Sequence, residues 1–217
     1  MIKLIIFDFD GTIGDTQGLI VCTMQETLRV VGLPVFSAEE CASTIGLPLK
    51  ECFTHLMEMG DETASLCEKT YREIFTEKNK QVKIAPFPNV VETLKNLHEK
   101  GYTLTIASSR GHESLDDFVR DMKLESYIRL VLGAEDVTNA KPDAEPVLKT
   151  LNILYFTPEE TLVVGDMAFD ILMGRNAGTK TCGVTYGNGK VNELLDAGAD
   201  YIINNFAKLP HLLKTIR

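Results

Sequence analysis

Short apolar runs ending at glycine, proline or aspartate alternate with amphipathic stretches over most of this chain, but one long N-terminal stretch is purely helical in period. Leu4-Ile5-Ile6-Phe7 is apolar at every position and too short for a helix, so it predicts a strand buried on both faces. After Ile13-Gly14-Asp15-Thr16 the period changes. Ile20, Val21, Met24, Thr27, Leu28 and Val31 recur at helical spacing, and Gly32 stops the run. Ser37-Ala38-Glu39-Glu40 has the form of a capping box opening a second helix. Pro48, after Ile45-Gly46-Leu47, suits the first turn of a third. A longer helix is expected over 61–79, with Leu66, Tyr71, Ile74 and Phe75 among its buried positions. Nothing from 15 to 81 predicts a strand.

Two prolines in Ile84-Ala85-Pro86-Phe87-Pro88 stiffen the chain where this block ends. From there helices and strands alternate. A helix carrying Val90, Val91, Leu94 and Leu97 stops at Gly101, and a strand over 102–107 follows. A helix over 112–122 leads to a strand over 128–132. A helix over 142–151, with Pro142 in its first turn, is followed by a capped turn at Thr157-Pro158-Glu159-Glu160 and a strand at 162–165. A helix over 170–177, strands at 181–184 and 200–203, and a final amphipathic helix complete the chain. Such alternation predicts an α/β fold, a doubly wound parallel-sheet (Rossmann-like) core. Its first crossover is the whole helical block. Residues 1–14 and 83–217 are therefore expected to form the core domain, and residues 15–82 an inserted all-α cap domain.

With 217 residues, 44% of them hydrophobic and 24% charged, the chain can bury a large core. A net charge of −9 argues against nucleic acid or an anionic membrane as partner. The N-terminal apolar run is too short to span a membrane and lacks a signal-peptide cleavage region. Five cysteines (Cys22, Cys41, Cys52, Cys67 and Cys182) form no CxxC pair and no zinc spacing, so they predict reduced, buried thiols in a cytoplasmic protein.

Ligands of an open parallel sheet bind beyond the carboxyl ends of its strands. Asp8 and Asp10 follow the first strand, Ser108 and Ser109 the second, Lys141 lies past the third, and Asp166 follows the fourth. Residues i and i+2 of an extended segment point the same way, so Asp8 and Asp10 share a side, where like charges call for a cation or a shared proton. Three carboxylates make a hard-oxygen site for Mg²⁺. A lysine and a hydroxyl hold phosphate oxygens, and a carboxylate not consumed by the metal remains for proton transfer.

At these residues the chain resembles the haloacid dehalogenase-like hydrolases, and within them the phosphoglycolate-phosphatase-like branch with a helical cap. Asp8-Phe9-Asp10-Gly11-Thr12 is similar to the family's DxDGT motif, Ser108 to its second-motif Ser/Thr, Lys141-Pro142 to its third-motif lysine, and Gly165-Asp166-Met167-Ala168-Phe169-Asp170 to its GDxxxD. The resemblance implies that Asp8 is the nucleophile and a Mg²⁺ ligand. It implies that Asp10 is general acid and then base, with its carbonyl on the metal. Ser108 and Lys141 would hold the phosphoryl group, Asp166 would bind Mg²⁺, and Asp170 would support the site from behind. Asp10 also argues against dehalogenation, because true dehalogenases lack this second carboxylate. Two positions depart from the family pattern: Met167 stands where many relatives have Ser or Thr, and Ala144 replaces a second proline.

Gly11, Thr12, Ser109 and Arg110 are further candidates for contacting substrate, although Arg110 fits a solvated helix start equally well. His112 and Arg175 are expected to be surface residues, and Asp15 to have a structural role at the hinge or first helix. Gly187-Asn188-Gly189-Lys190 lacks the GxxxxGK[ST] pattern and is expected to be a turn. Met24, Met57 and Met59 are expected to fill the core of the helical block. The expected activity is Mg²⁺-dependent hydrolysis of a small phosphorylated metabolite (phosphoglycolate-like, sugar phosphate or pyrophosphate) through an aspartyl phosphate. A phosphomutase of the β-phosphoglucomutase type is the alternative, disfavoured because Leu49 and Lys50 stand where those relatives carry an arginine; a catalytically silent phosphate-binding protein is the third. A monomer or weak homodimer is expected.

Overall fold

The computed structural model describes residues 1–216. Its centre is a six-stranded sheet of β1 (Leu4–Phe7), β2 (Thr103–Ala107), β3 (Ile128–Leu132), β4 (Thr161–Gly165), β5 (Lys180–Val184) and β6 (Tyr201–Ile203). The strand order is β3-β2-β1-β4-β5-β6, and every neighbouring pair is parallel. Parallel neighbours need crossovers, and those crossovers cover both faces of the sheet.

Between β1 and β2 lie α1 (Gln17–Val31), α2 (Ala38–Ala42), α3 (Leu49–Leu56), α4 (Asp61–Asn79) and α5 (Val90–Glu99). The remaining helices are α6 (His112–Asp121), α7 (Glu145–Leu154), α8 (Ala168–Asn176), α9 (Val191–Asp196) and α10 (Leu209–Thr215). β1 shows why its run is apolar throughout. Ile5 and Phe7 join Leu94, Leu104, Phe118 and Leu209 in one layer, whereas Leu4 and Ile6 join Val147, Val163 and Met173 in the other. Each fully buried side chain of this kind contributes about 1.5–3 kcal/mol.

The helical block holds together on its own apolar stripes. Ser37 accepts from the Glu40 N–H (3.2 Å) while its own N–H donates to Glu40 (2.8 Å), a complete capping box at α2. Ala64, Cys67, Tyr71 and Phe75 form the buried stripe of α4. Leu66, expected inside, lies half exposed because the stripe runs one residue further on. Met24 is buried, and Met57 and Met59 are half-buried. The two chain segments joining block and core run side by side. Asp15 N–H donates to the Ala85 carbonyl (3.0 Å) and Phe87 N–H to the Ile13 carbonyl (2.9 Å).

Three local expectations are corrected. α7 starts at Glu145, with Pro146 rather than Pro142 in its first turn, because Lys141 and Pro142 belong to the loop beside the site. Pro48 is the N-cap of α3, one place before the first turn. Cys22 is exposed on α1, where Lys78 Nζ lies 3.5 Å from its sulfur, while the other four free thiols are buried. Among the described residues no helix is long and apolar enough to cross a membrane.

Candidate active site

The strand order reverses between β1 and β4, which opens a crevice beyond their carboxyl ends. Asp8 leaves β1 and Asp166 leaves β4. The Asp8 N–H donates to the Val164 carbonyl (2.9 Å), extending the β1–β4 pairing by one residue and fixing the nucleophile candidate in place. Lys141 Nζ donates to Asp8 Oδ1 (2.6 Å) and to Asp170 Oδ1 (2.7 Å), and all three side chains are buried. Carboxylate oxygens of Asp8, Asp166 and Asp170 lie within 4.8 Å of one another.

That cluster sets three acids against one ammonium away from water. Burial raises the Asp8 pKa well above the usual carboxylate range; Lys141 opposes the rise, while Asp170, Asp166 and Asp10 add to it. Asp166 is pushed up to about 7 by burial and then by Asp170, against the Asn188 N–H, the Thr12 hydroxyl and Lys141. Burial works against the Lys141 charge, but Asp170 and Asp8 outweigh it and raise its pKa. A divalent cation is the species that such a surplus of buried negative charge fits. The donors fit as well. The Asp10 carbonyl borders the same group of atoms, because Asn188 Nδ2 donates both to it (3.3 Å) and to Asp166 Oδ2 (3.0 Å). Asp170 is less available, since its other oxygen accepts from the Met167 N–H (3.0 Å). That donor is the backbone of Met167, whose buried side chain offers no hydrogen bond where many relatives carry a hydroxyl. Ala144 is simply the N-cap of α7.

Asp10 is held differently. Its carboxylate accepts from Thr16 Oγ1 (2.6 Å), Arg110 Nε (2.9 Å) and Arg110 Nη2 (2.6 Å). Arg110 is therefore no solvated helix start. Its guanidinium is buried, with Cζ 4.8 Å from the Phe75 ring centroid and 5.0 Å from that of Phe118. A cavity of about 310 Å³ lies between these groups and the helical block, lined by Asp8, Asp10, Ser108, Arg110, Leu49 and Tyr71.

The other sequence candidates divide. Ser108 lines the cavity, and its hydroxyl accepts from the Arg110 N–H (3.3 Å). Ser109 donates its hydroxyl to the Gly46 carbonyl of the helical block (2.6 Å). Thr12 donates to Asp166 Oδ1 (3.1 Å), which makes it a brace for that acid. Gly11 has φ +91°, and a Cβ there would come within 2.2 Å of Asp166 and Asn188. Asp15 is exposed, and the N-cap of α1 is Thr16, whose hydroxyl serves Asp10. His112 opens α6 at the surface, bonded to Asp136, and Arg175 is an exposed residue donating to the Gly198 carbonyl.

Asn188 was missed as a functional candidate. The Gly187–Lys190 segment is a turn, but its Asn188 N–H and Nδ2 both donate to Asp166 Oδ2, at 2.6 and 3.0 Å. The flanking glycines carried the signal. A Cβ on Gly187 would meet the Gly11 carbonyl at 2.3 Å, and one on Gly189 the Asp166 carbonyl at 2.1 Å. Only glycine lets this loop lie against the site.

A doubly wound parallel sheet with three buried acids and a lysine at its switch point defines an enzyme site built around aspartates rather than a serine triad. The chain belongs to the haloacid dehalogenase-like hydrolases, whose family model matches residues 5–184, and it is a phosphatase-type enzyme of that family. It is 33% identical to the pyrophosphatase PpaX of Anoxybacillus flavithermus, over 98% of this chain and 97% of that one. It is 32% identical to a phosphoglycolate phosphatase of Aquifex aeolicus, over 88% of each. Among solved structures it superposes on a hydrolase from Pseudomonas syringae with a TM-score of 0.88 and 25% identity, covering 99% of each chain.

Proposed function

We propose that this enzyme is a Mg²⁺-dependent phosphatase that releases inorganic phosphate from a small phosphorylated metabolite through a phosphoryl group carried on Asp8. The buried Asp8–Lys141–Asp170 arrangement beside Asp166 is the observation that carries this reading. Asp8, Asp166 and the Asp10 carbonyl would hold the Mg²⁺ ion, which supplies positive charge to the phosphoryl oxygens when bound. An oxygen of Asp8 attacks phosphorus, and the bond from phosphorus to the leaving oxygen breaks. Asp10 gives that oxygen its proton. Water then attacks the phosphoryl group on Asp8, Asp10 takes the water's proton, and phosphate departs with Asp8 restored. Lys141 and Ser108 stand where they can neutralise and bond the transferring group, the main contribution a protein makes to this chemistry.

The helical block, residues 15–82, acts as a cap over the cavity, hinged at the paired 13–15 and 85–87 segments. Lys50 pairs with Asp61 at the surface instead of facing the cavity, which supports hydrolysis over mutase chemistry. Five unpaired thiols accord with a cytoplasmic setting. Candidate substrates include pyrophosphate and phosphoglycolate, the compounds its relatives are named for. The test is Mg²⁺-dependent release of phosphate from a generic aryl phosphate, abolished in Asp8→Asn. Hydrolysis that survives that substitution, or none across a broad phosphate panel, would overturn the reading.

A further inference from the structure

The feature left without a role by that reading is the Arg110 guanidinium. It is a buried cation lining the cavity that holds Asp8 and Asp10, and it grips the carboxylate assigned to proton transfer. We propose that Arg110 is the specificity residue for a second anionic group on the substrate, and that this group takes the place of Asp10 on the guanidinium; this rests on the phosphatase reading above.

Three observations support it. The guanidinium is fixed by its surroundings rather than free to follow any ligand. Phe75 and Phe118 lie within 5.0 Å of Cζ, and Nη1 donates to Ser114 Oγ (3.2 Å). It is also fully engaged on Asp10, which it holds through Nε and Nη2 together with the Thr16 hydroxyl. In that position Asp10 points its oxygens at Arg110 and Thr16, not at a group on Asp8. Finally, Arg110 lines the same cavity as Asp8, and the other cation lining it, Arg72 of the helical block, is half exposed and bonded to Glu68 (2.8 Å), whereas Arg110 is the buried one. A planar guanidinium pairs two-pronged with a carboxylate or a phosphate, so an incoming anion of either kind can replace the Asp10 carboxylate like for like.

The consequence is a substrate class. It is a short monophosphate whose leaving group carries a second anion, either carboxylate or phosphate. That anion binds Arg110 and frees Asp10 to turn toward the leaving oxygen. An uncharged leaving group leaves Asp10 latched and reacts slowly. Because Phe75 belongs to α4, an anion seated on Arg110 also lies directly under the helical block.

The experiment compares phosphoglycolate with its neutral carboxamide on the wild-type enzyme, with pyrophosphate as the phosphate arm and an aryl phosphate as reference. The carboxylate is expected to raise kcat/KM over the carboxamide on the order of 30-fold, the scale of one charge-assisted bond, with much of the gain in kcat. Arg110→Met, which keeps the stem, should collapse the ratio toward one, and Arg110→Lys should keep part of it. A gain with pyrophosphate alone assigns the site to a phosphate, and a gain with phosphoglycolate alone to a carboxylate. Both support the proposal. A wild-type ratio near one, with no gain for pyrophosphate over a normally turned-over aryl phosphate, overturns it while leaving the phosphatase reading intact. So does a ratio unchanged in Arg110→Met. Absence of Mg²⁺-dependent turnover of the aryl phosphate and of every other arm removes the underlying reading and this inference with it. The wild-type comparison needs no variant, so a misfolded Arg110→Met does not leave the question open.

Discussion

Asn188 holds Asp166 through two donors, with its N–H 2.6 Å and its Nδ2 3.0 Å from the same carboxylate oxygen. The contact orients an acid that the Mg²⁺ proposal assigns to the metal. Groups that orient ligands typically account for 10–100-fold in metal affinity. Asn188→Ala keeps the backbone donor and the Thr12 bond, so about tenfold weaker Mg²⁺ binding is expected. The readout is the Mg²⁺ concentration that half-maximally raises the unfolding temperature, since a ligand that binds only the folded state stabilises it by mass action. A midpoint unchanged from wild type would count against this role.

Among the described residues Lys141 is the single cation touching both Asp8 and Asp170. Removing one partner of a buried ion pair leaves the other uncompensated and costs about 3–5 kcal/mol. Lys141→Ala is expected to lose about that much in urea unfolding without metal, and about 100-fold or more in kcat. Added Mg²⁺ should recover part of the stability, because it supplies positive charge to the same carboxylates. Equal losses with and without Mg²⁺ would show that the defect is one of packing.

The sequence showed the frame of this site because strand ends are local events. An apolar run closing on aspartate marks Asp8 and Asp166 without knowledge of the fold, and strand-helix alternation brings them to one edge. What it hid were pairings that depend on the crossover. The Arg110 partner lies 100 residues away at Asp10, and its two aromatic neighbours come from different helices. Asn188 sits in a stretch with ordinary turn composition, and only the close approach of its backbone to Asp166 distinguishes it. α9 also went unforeseen, since its six residues bury only Leu194 and leave almost no apolar period to read.

His112 and Asp136 give a pH dependence away from the acid cluster. The Asp136 side chain, then those of Asp116 and Glu135, raises the His112 pKa against its partial burial. Burial pushes Asp136 upward, but the Gly133 N–H and His112, with Lys149 nearby, outweigh it and lower its pKa. The histidine contribution is fully present below its unfolded pKa of about 6.5 and fades as pH rises through the higher folded value. The aspartate contribution is present above about 3.9 and is lost as pH falls through its lower folded value. The pair therefore stabilises most between roughly pH 4 and 6.5. With His112 41% exposed, solvent screening limits the gain to a few tenths of a kcal/mol. His112→Ala should destabilise more at pH 5.5 than at pH 9 in paired urea titrations. A difference independent of pH would remove the ion pair from the explanation.

Gly11 tests how tightly the first loop and the Asn188 loop are fitted together. Its φ of +91° is one that an L side chain resists, and the cost of forcing one there is about 1–2 kcal/mol before any contact is made. A methyl would also lie 2.2 Å from both Asp166 Oδ2 and Asn188 Nδ2, closer than any packed carbon sits. Those two atoms bond each other, so neither moves without breaking the contact that orients Asp166. Gly11→Ala is therefore expected to destabilise the fold by about 2 kcal/mol or more and to weaken Mg²⁺ binding together with activity. Gly18 supplies the control. It lies in the first turn of α1 with open space around its Cβ position, so Gly18→Ala should be neutral or stabilise by up to about 0.5 kcal/mol through helix propensity alone. Both variants are read by urea unfolding and by Mg²⁺-dependent thermal shift. If Gly11→Ala behaves like Gly18→Ala in both, the two loops are looser than their contacts imply, and Asn188 cannot be what orients Asp166.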